Sequence, residues 1–294
     1  MKITRANASL ISSYNSCALK YYMNYVLKLE SPSDAAALRG SIVHKAIALL
    51  ATSSGKTIEE ILEESWISCH EANKYVELDN KKDYKKCLAN FRKIIEDKDY
   101  NPTGLTILGI EKKFEIALPG KEWKVEGGQL VLSGVIDMIS EVDDDTIMIT
   151  DWKTGAQSDI FTGEKIDEDY LLKSPQPRIY NLAASYLWPQ YKNILVTFYY
   201  TEHAGPLTIS FDEEDVALTL ASVWKFFSKV KKTETITRNR SWRCKFCAFS
   251  KSDICNHVYK ELAFKSQDDI AIEYQSMSFA DQVKKFPKQE KKDV

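Results

Sequence analysis

Several kinds of segment are missing from this 294-residue chain. The opening MKITRANASL has no apolar stretch of the kind that heads a secretory leader, and no run elsewhere approaches the roughly 20 apolar residues of a spanning helix. A soluble protein of the cytoplasm, with no membrane partner, is therefore expected. No internal repeat and no low-complexity block interrupts it. An excess of basic charge is also lacking: the formal net charge is −2, so any polyanion binding must rest on local clustering. One such cluster exists between Lys225 and Lys251, where Lys225, Lys229, Lys231, Lys232, Arg238, Arg240, Arg243, Lys245 and Lys251 face a single acid, Glu234. Six cysteines without a secretory signal are expected to be reduced thiols, acting as metal ligands or core residues rather than disulfides.

What is present supports an ordinary buried core, with 44% hydrophobic residues. Helical periodicity marks Leu10 to Leu27 and Ala35 to Leu50, and two further helices are expected around Thr57 to Glu77 and Asp83 to Glu96. The period then changes to two. Thr106 to Leu118, Gln129 to Val142 and Thr146 to Lys153 are rich in Val, Ile and Thr and are separated by turn formers. A polar loop from Thr154 to Ser174 leads to a helix over Pro175 to Leu187, then to strands over Asn193 to Thr201 and Pro206 to Phe211 and a helix over Asp212 to Val230. Helix, three strands, helix, strand implies a mixed α/β sheet, because a crossover helix returns the last strand parallel to a neighbour. A single domain over 1–280 is expected: a mainly helical 1–105, a sheet core over 106–211, a helix and cysteine-rich segment over 212–260, and a charged tail over 281–294.

Asp143-Asp144-Asp145 separates two β-rich runs and should turn an antiparallel hairpin. Centring the loop on Asp144 sets Val142 opposite Thr146 and Asp137 opposite Asp151. Two carboxylates about 5 Å apart repel by roughly 3 kcal/mol at an effective dielectric of 20, which calls for a cation. Asp151 and Lys153, two apart on a strand, share a face, while Trp152 points the other way. Two acids and an ammonium group on one spot suit phosphodiester hydrolysis: the carboxylates hold Mg²⁺ or Mn²⁺, and the lysine orients water or stabilises charge on the phosphorane oxygens.

These residues resemble the PD-(D/E)XK nuclease superfamily, in particular its RecB-like exonucleases, a group that includes CRISPR-associated adaptation nucleases and AddB-type nuclease domains. The resemblance runs from about residue 10 to 257. Gly134-Val-Ile-Asp137 matches the family's metal-ligand motif, and Asp151-Trp-Lys153, followed by Gly155, looks like its (Asp/Glu)-x-Lys motif. It implies a restriction-endonuclease-like mixed sheet with a helical lobe. Arg39-Gly40-Ser-Ile-Val-His44 is similar to the element that supplies a metal-binding histidine, which makes His44, Asp137 and Asp151 the implied divalent-cation ligands, with the Trp152 carbonyl as a further donor. Gln176-Pro-Arg-Ile-Tyr180 is similar to the family's Gln-x-x-x-Tyr, implying substrate contacts near the scissile phosphate, and Glu111 resembles a semi-constant acid on the first strand.

Cys244-Lys-Phe-Cys247 and Cys255 form a compact trio that leaves one coordination position open. The resemblance pairs Cys17 with them, since iron-sulfur members of the family place one cysteine before the core and three after it around a [4Fe-4S] cluster. The usual Cys-Pro is Cys17-Ala18 here. Zinc is the alternative metal, with His257 able to replace a cysteine. Cys69 and Cys87 instead continue apolar helical stripes and are expected in the core. The implied function is a metal-dependent DNA exonuclease acting on single-stranded ends in recombination, repair or CRISPR-type adaptation. The alternatives are a structure-specific endonuclease or a DNA-binding recombination accessory module. Trp242, Phe246 and Phe249, interleaved with basic residues, suit a strand-tracking surface or packing around the cluster. No Gly-x-x-x-x-Gly-Lys-Ser/Thr loop is present, so strand separation requires a partner such as a helicase or a recombination or adaptation protein.

Overall fold

The computed structural model describes residues 3–29, 34–53, 55–73, 76–159, 163–202, 205–277, 281 and 285. The expected tail over 281–294 lies outside these apart from Asp281 and Lys285. Contacts divide the chain into two compact units, one over Ser33–Leu118 and Val131–Ala221, the other over Met1–Pro32, Pro119–Leu130 and Ser222–Val294.

The first unit opens with helices α1 (Ala35–Thr52), α2 (Ile58–Ala72) and α3 (Lys82–Glu96). Asp34 caps α1 by accepting from the Ala37 N–H, and Thr57 with Glu60 closes a capping box on α2. α2 stops short of the expected Glu77, and the Asn73 side-chain amide donates to the Cys69 carbonyl there. By length and composition α1 is apolar enough to cross a membrane, contrary to the reading of the bare sequence. Its Leu38, Ile42, Val43, Ala46 and Ile47 are buried in the core, and Arg39 pairs with Asp83, so it is packed as a core helix.

The strands are β1 (Thr106–Ala117), β2 (Val131–Asp143), β3 (Thr146–Lys153), β4 (Asn193–Tyr200) and β5 (Gly205–Ser210), with helices α4 (Glu168–Lys173) and α5 (Pro175–Leu187) between β3 and β4. Within this unit β1, β2 and β3 are antiparallel neighbours, β4 runs parallel to β3, and β5 is antiparallel to β4. This is the expected mixed α/β sheet, and α5 is the crossover that makes the parallel pair possible. α4 falls inside the stretch expected to be a loop. Asp167 caps it, and two acids occupy its first turn, where the helix dipole favours them. The helix α6 (Glu213–Lys232) begins in this unit; Arg178 on α5 holds its first turn through Asp215, at 3.0 Å.

The core lies between the three N-terminal helices and one face of the sheet. Phe91, Ile94, Leu62, Ile61 and the α1 stripe meet Met138, Trp152 and Tyr199, and Trp152 is 2% exposed. Cys69 and Cys87 belong to this core, as their stripes predict, and burial pushes the Cys87 thiol up to about 12.

In the second unit the expected helix from Leu10 to Leu27 is divided. Ala8–Ser16 is one helix; Cys17 is extended, with its N–H on the Ser13 carbonyl, and Ala18–Tyr21 then continues into a π-helical turn over Tyr22–Val26. Leu19, Tyr22, Met23 and Leu27 bury against Phe249, Val258, Ile270 and Tyr274. The expected strand from Gln129 also breaks: Lys124–Val125 and Gly128–Gln129 form a small hairpin of their own, turned at Gly127, whose φ of 86° favours a glycine.

Candidate nuclease site

The β2–β3 hairpin builds the site. Its register runs Met138↔Thr150, Ile139↔Ile149, Ser140↔Met148 and Glu141↔Ile147, as a loop centred on Asp144 requires. Near the turn it shifts: Thr146 pairs with Asp143 and not with Val142, which becomes the extra residue of a bulge. At the other end the ladder stops at Met138↔Thr150, one step before the expected Asp137–Asp151 pair. There the Asp137 carboxylate replaces a ladder carbonyl, Oδ2 accepting the Trp152 N–H at 3.0 Å. Two glycines permit the close approaches around it. A Cβ on Gly134 would lie 2.6 Å from Phe114 Cζ on β1, and one on Gly40 would lie 3.2 Å from Thr154 Oγ1.

His44, on α1, reaches the same end of the hairpin. Its Nε2 lies 2.8 Å from the Trp152 carbonyl, which can only accept, so Nε2 carries a proton. Nδ1 is thereby turned toward Asp137 Oδ2, at 3.3 Å. Burial alone would lower the His44 pKa, but the hydrogen bond to Asp137 and the charges of Asp137 and Asp151 outweigh it, and the net shift is upward.

Asp151 is 2% exposed, and both its carboxylate oxygens meet polar groups. Oδ1 accepts from the Gln176 amide at 2.9 Å and lies 3.2 Å from the Tyr180 hydroxyl, while Oδ2 pairs with the Lys153 ammonium. Burial raises its pKa, the Lys153 ammonium opposes that, the Asp137 charge adds to it, and the balance stays upward. Lys153 Nζ also donates to Gln176 Oε1 at 3.2 Å and sits 4.9 Å over the Phe198 ring. Phe198 was not foreseen. It is opposite Asp151 across the parallel β3–β4 pair, whose offset depends on the crossover and leaves no mark in the sequence.

Gln176 and Tyr180 lie one turn apart on α5, as their spacing requires, with the Gln176 amide 2.8 Å from the Tyr180 hydroxyl. Tyr180 is only 6% exposed and reaches the Val135 carbonyl at 2.8 Å. Its phenol lies beneath Asp151, and burial, then the Asp151 and Asp137 charges, push its pKa well above the ordinary range. The Trp152 carbonyl, expected as a cation ligand, is engaged by His44 Nε2. Glu111 stands apart: among the described residues it shares no hydrogen bond or ion pair with the rest of the set. It is exposed, with a left-handed φ of 43° between the pairs Ile110↔Met138 and Lys112↔Ile136.

Among the described residues no three His, Cys, Asp or Glu side chains stand close enough together to hold a metal ion. The His44–Asp137 pair nonetheless fits one. Adjacent ligands at about 2.1 Å from an octahedral cation stand about 3 Å apart, and the observed 3.3 Å is close to that. Asp151 is drawn to Lys153 instead.

All four candidate cluster cysteines belong to the second unit and are free. Cys17, Cys247 and Cys255 pack against one apolar cluster. Burial raises the Cys255 pKa, Arg238 opposes this, and the charges of Cys247 and Cys17 add to it. The Cys244 thiol lies 3.9 Å from the Asn239 carbonyl, and the Asn239 amide donates to the carbonyl of Ser16, beside Cys17. His257 instead faces Glu261, at 3.4 Å. Of the interleaved aromatics, Phe249 is core, whereas Trp242 and Phe246 are exposed and meet edge to face.

A model of the PD-(D/E)XK nuclease superfamily matches residues 5–256. Among solved structures, one from Eubacterium rectale, described provisionally as an exonuclease, is similar over 87% of this chain and 88% of its own, with 13% identity and a TM-score of 0.52. Another, SSO0001, covers 82% of this chain and 92% of its own at 12% identity, but its TM-score of 0.35 is too low to carry an argument. No curated protein matches.

Proposed function

Since the chain belongs to the PD-(D/E)XK nuclease superfamily, we propose that it is a divalent-metal-dependent deoxyribonuclease acting exonucleolytically, with single-stranded DNA ends as substrate. The observation that carries this is the convergence of His44, Asp137, Asp151 and Lys153 at one end of a single hairpin. The exonuclease assignment rests on the resemblance to RecB-like exonucleases and on the provisional description of the Eubacterium rectale neighbour.

His44 Nδ1, Asp137 Oδ2 and Asp151 are the groups that would hold Mg²⁺ or Mn²⁺, which when bound lowers the pKa of water and polarises the phosphate. Holding the ion requires Asp151 to turn from Lys153. The ammonium group, still anchored by Gln176 Oε1 and the Phe198 ring, is then available to orient the attacking water or meet charge developing on the phosphoryl oxygens. In the reaction the water oxygen bonds to phosphorus as the bond to the leaving oxygen breaks; the proton the water loses passes to solvent, and the leaving oxygen takes one up from solvent to depart as the alcohol.

In place of the substrate contacts that the resemblance implies for Gln176 and Tyr180, we assign them as positioning residues, since the buried Tyr180 hydroxyl reaches Asp151 and the Val135 carbonyl and the Gln176 amide donates to Asp151. Glu111 is assigned an auxiliary role beside Asp137, consistent with its strained, exposed place on β1. The four cysteines are assigned to a [4Fe-4S] cluster on the family resemblance alone; they belong to one unit, but among the described residues no three of them stand within reach of a single metal ion. Zinc is the rival metal, but the contact of His257 with Glu261 does not favour its replacing a cysteine. Recombination, repair or adaptation, with a helicase partner, is the setting this activity fits.

The test is digestion of end-labelled linear DNA with Mn²⁺ or Mg²⁺. A ladder shortening from the ends is expected, faster on single strands. Accumulation of internal fragments would replace the exonuclease reading with an endonuclease one.

A further inference from the structure

The second unit carries a groove of about 1150 Å³ alongside the C-terminal half of α6. Lys225, Lys229, Lys231 and Lys232 line it, and no acidic side chain does. Lys225, Lys229 and Lys232 follow the i, i+4, i+7 pattern that puts side chains on one helix face. Like charges at that spacing weaken a helix unless something neutralises them. Among the described residues nothing does, because none of the four makes an ion pair, although the chain as a whole has a net charge of −2. The Lys231 ammonium sits 5.6 Å over the Phe227 ring, a contact that leaves its charge in place.

Trp224 lines the same groove and is 41% exposed. Trp123 braces it edge to face at 5.4 Å and Phe227 packs on it at 5.6 Å, so its exposed surface is held in place. Asn15 adds a neutral hydrogen-bonding wall. The lysine face extends about 10 Å along the helix at 1.5 Å per residue, the axial length of about three nucleotides of one strand.

We propose that this groove binds the sugar-phosphate backbone of single-stranded DNA, its lysines meeting successive phosphates and Trp224 stacking on an unpaired base. A row of cations beside a fixed aromatic face is the arrangement that binds unstacked strands without reading sequence. The choice of DNA as the polyanion rests on the nuclease reading; the charge and stacking argument does not.

The test is fluorescence anisotropy of a labelled oligothymidine with the full chain in EDTA, across a salt series. Lys229→Glu/Lys232→Glu is expected to weaken binding at least tenfold and to flatten the slope of log affinity against log salt by about 1.4, two contacts at about 0.7 each. Trp224→Ala is expected to weaken binding about fivefold or more with the slope unchanged. Thermal melting checks that both variants fold; Lys225→Gln/Lys229→Gln, which removes charge without reversing it, replaces a variant that does not. Wild-type affinity and slope in folded variants would overturn the groove. Tighter binding of duplex, with the same lysine dependence, would overturn the single-strand assignment. A wild-type protein that binds through these residues yet hydrolyses no DNA under any divalent ion would sink the nuclease reading and leave the groove standing.

Discussion

Asp151 is a buried carboxylate whose charged form is disfavoured first by burial and then by Asp137, with Lys153 compensating only in part. A raised folded-state pKa means that ionisation costs stability at neutral pH, and that this cost disappears as pH falls through the folded value. Asp151→Asn is therefore expected to raise the thermal midpoint of the metal-free protein at neutral pH. The advantage should shrink on acidification, because the wild-type acid then becomes protonated; a gap that widens instead would contradict this. Gly134→Ala is expected to lose about 1–3 kcal/mol in a denaturant melt, since its Cβ would meet the buried Phe114 ring. Most of the residues around Asp151 were legible in the sequence. Asp151 and Lys153 follow from strand alternation, and Asp137 from the hairpin. Phe198 was not, because nothing local encodes the offset of a parallel pair.

At the scale of elements, α5 acts as the splint of the site. Its first turn presents Gln176 to both Asp151 and Lys153, and its second presents Tyr180 beneath Asp151. Tyr180→Phe keeps the ring and removes the hydroxyl. It is expected to lower kcat about tenfold, with KM for DNA little changed, since the hydroxyl reaches Asp151 and not the surface. A rise in KM with kcat intact would mean that Tyr180 meets substrate directly. Strands β1 to β4 and helices α1 to α3 could be read from periodicity, which reports burial on one face. The bulge at Val142 and the division at Cys17 could not, because each interrupts a pattern that is locally continuous in the sequence.

In the whole molecule, Cys17 and the trio Cys244, Cys247 and Cys255 belong to one unit built from the two ends of the chain. If they share a cluster, Cys17→Ser should remove the bound metal and lower the thermal midpoint, because metal affinity adds to folding free energy. Anaerobically purified protein should be brown; a colourless protein with stoichiometric zinc would contradict the cluster. The long-range pairing of Cys17 came from resemblance alone, since no sequence spacing connects it to the other three. The central claim, that His44, Asp137, Asp151 and Lys153 hydrolyse phosphodiesters, is tested most directly by digesting end-labelled linear DNA with wild type, Asp151→Ala and Lys153→Ala in Mn²⁺. Degradation by wild type alone, with at least a hundredfold loss in each variant, is the predicted result; variants as active as wild type would contradict it.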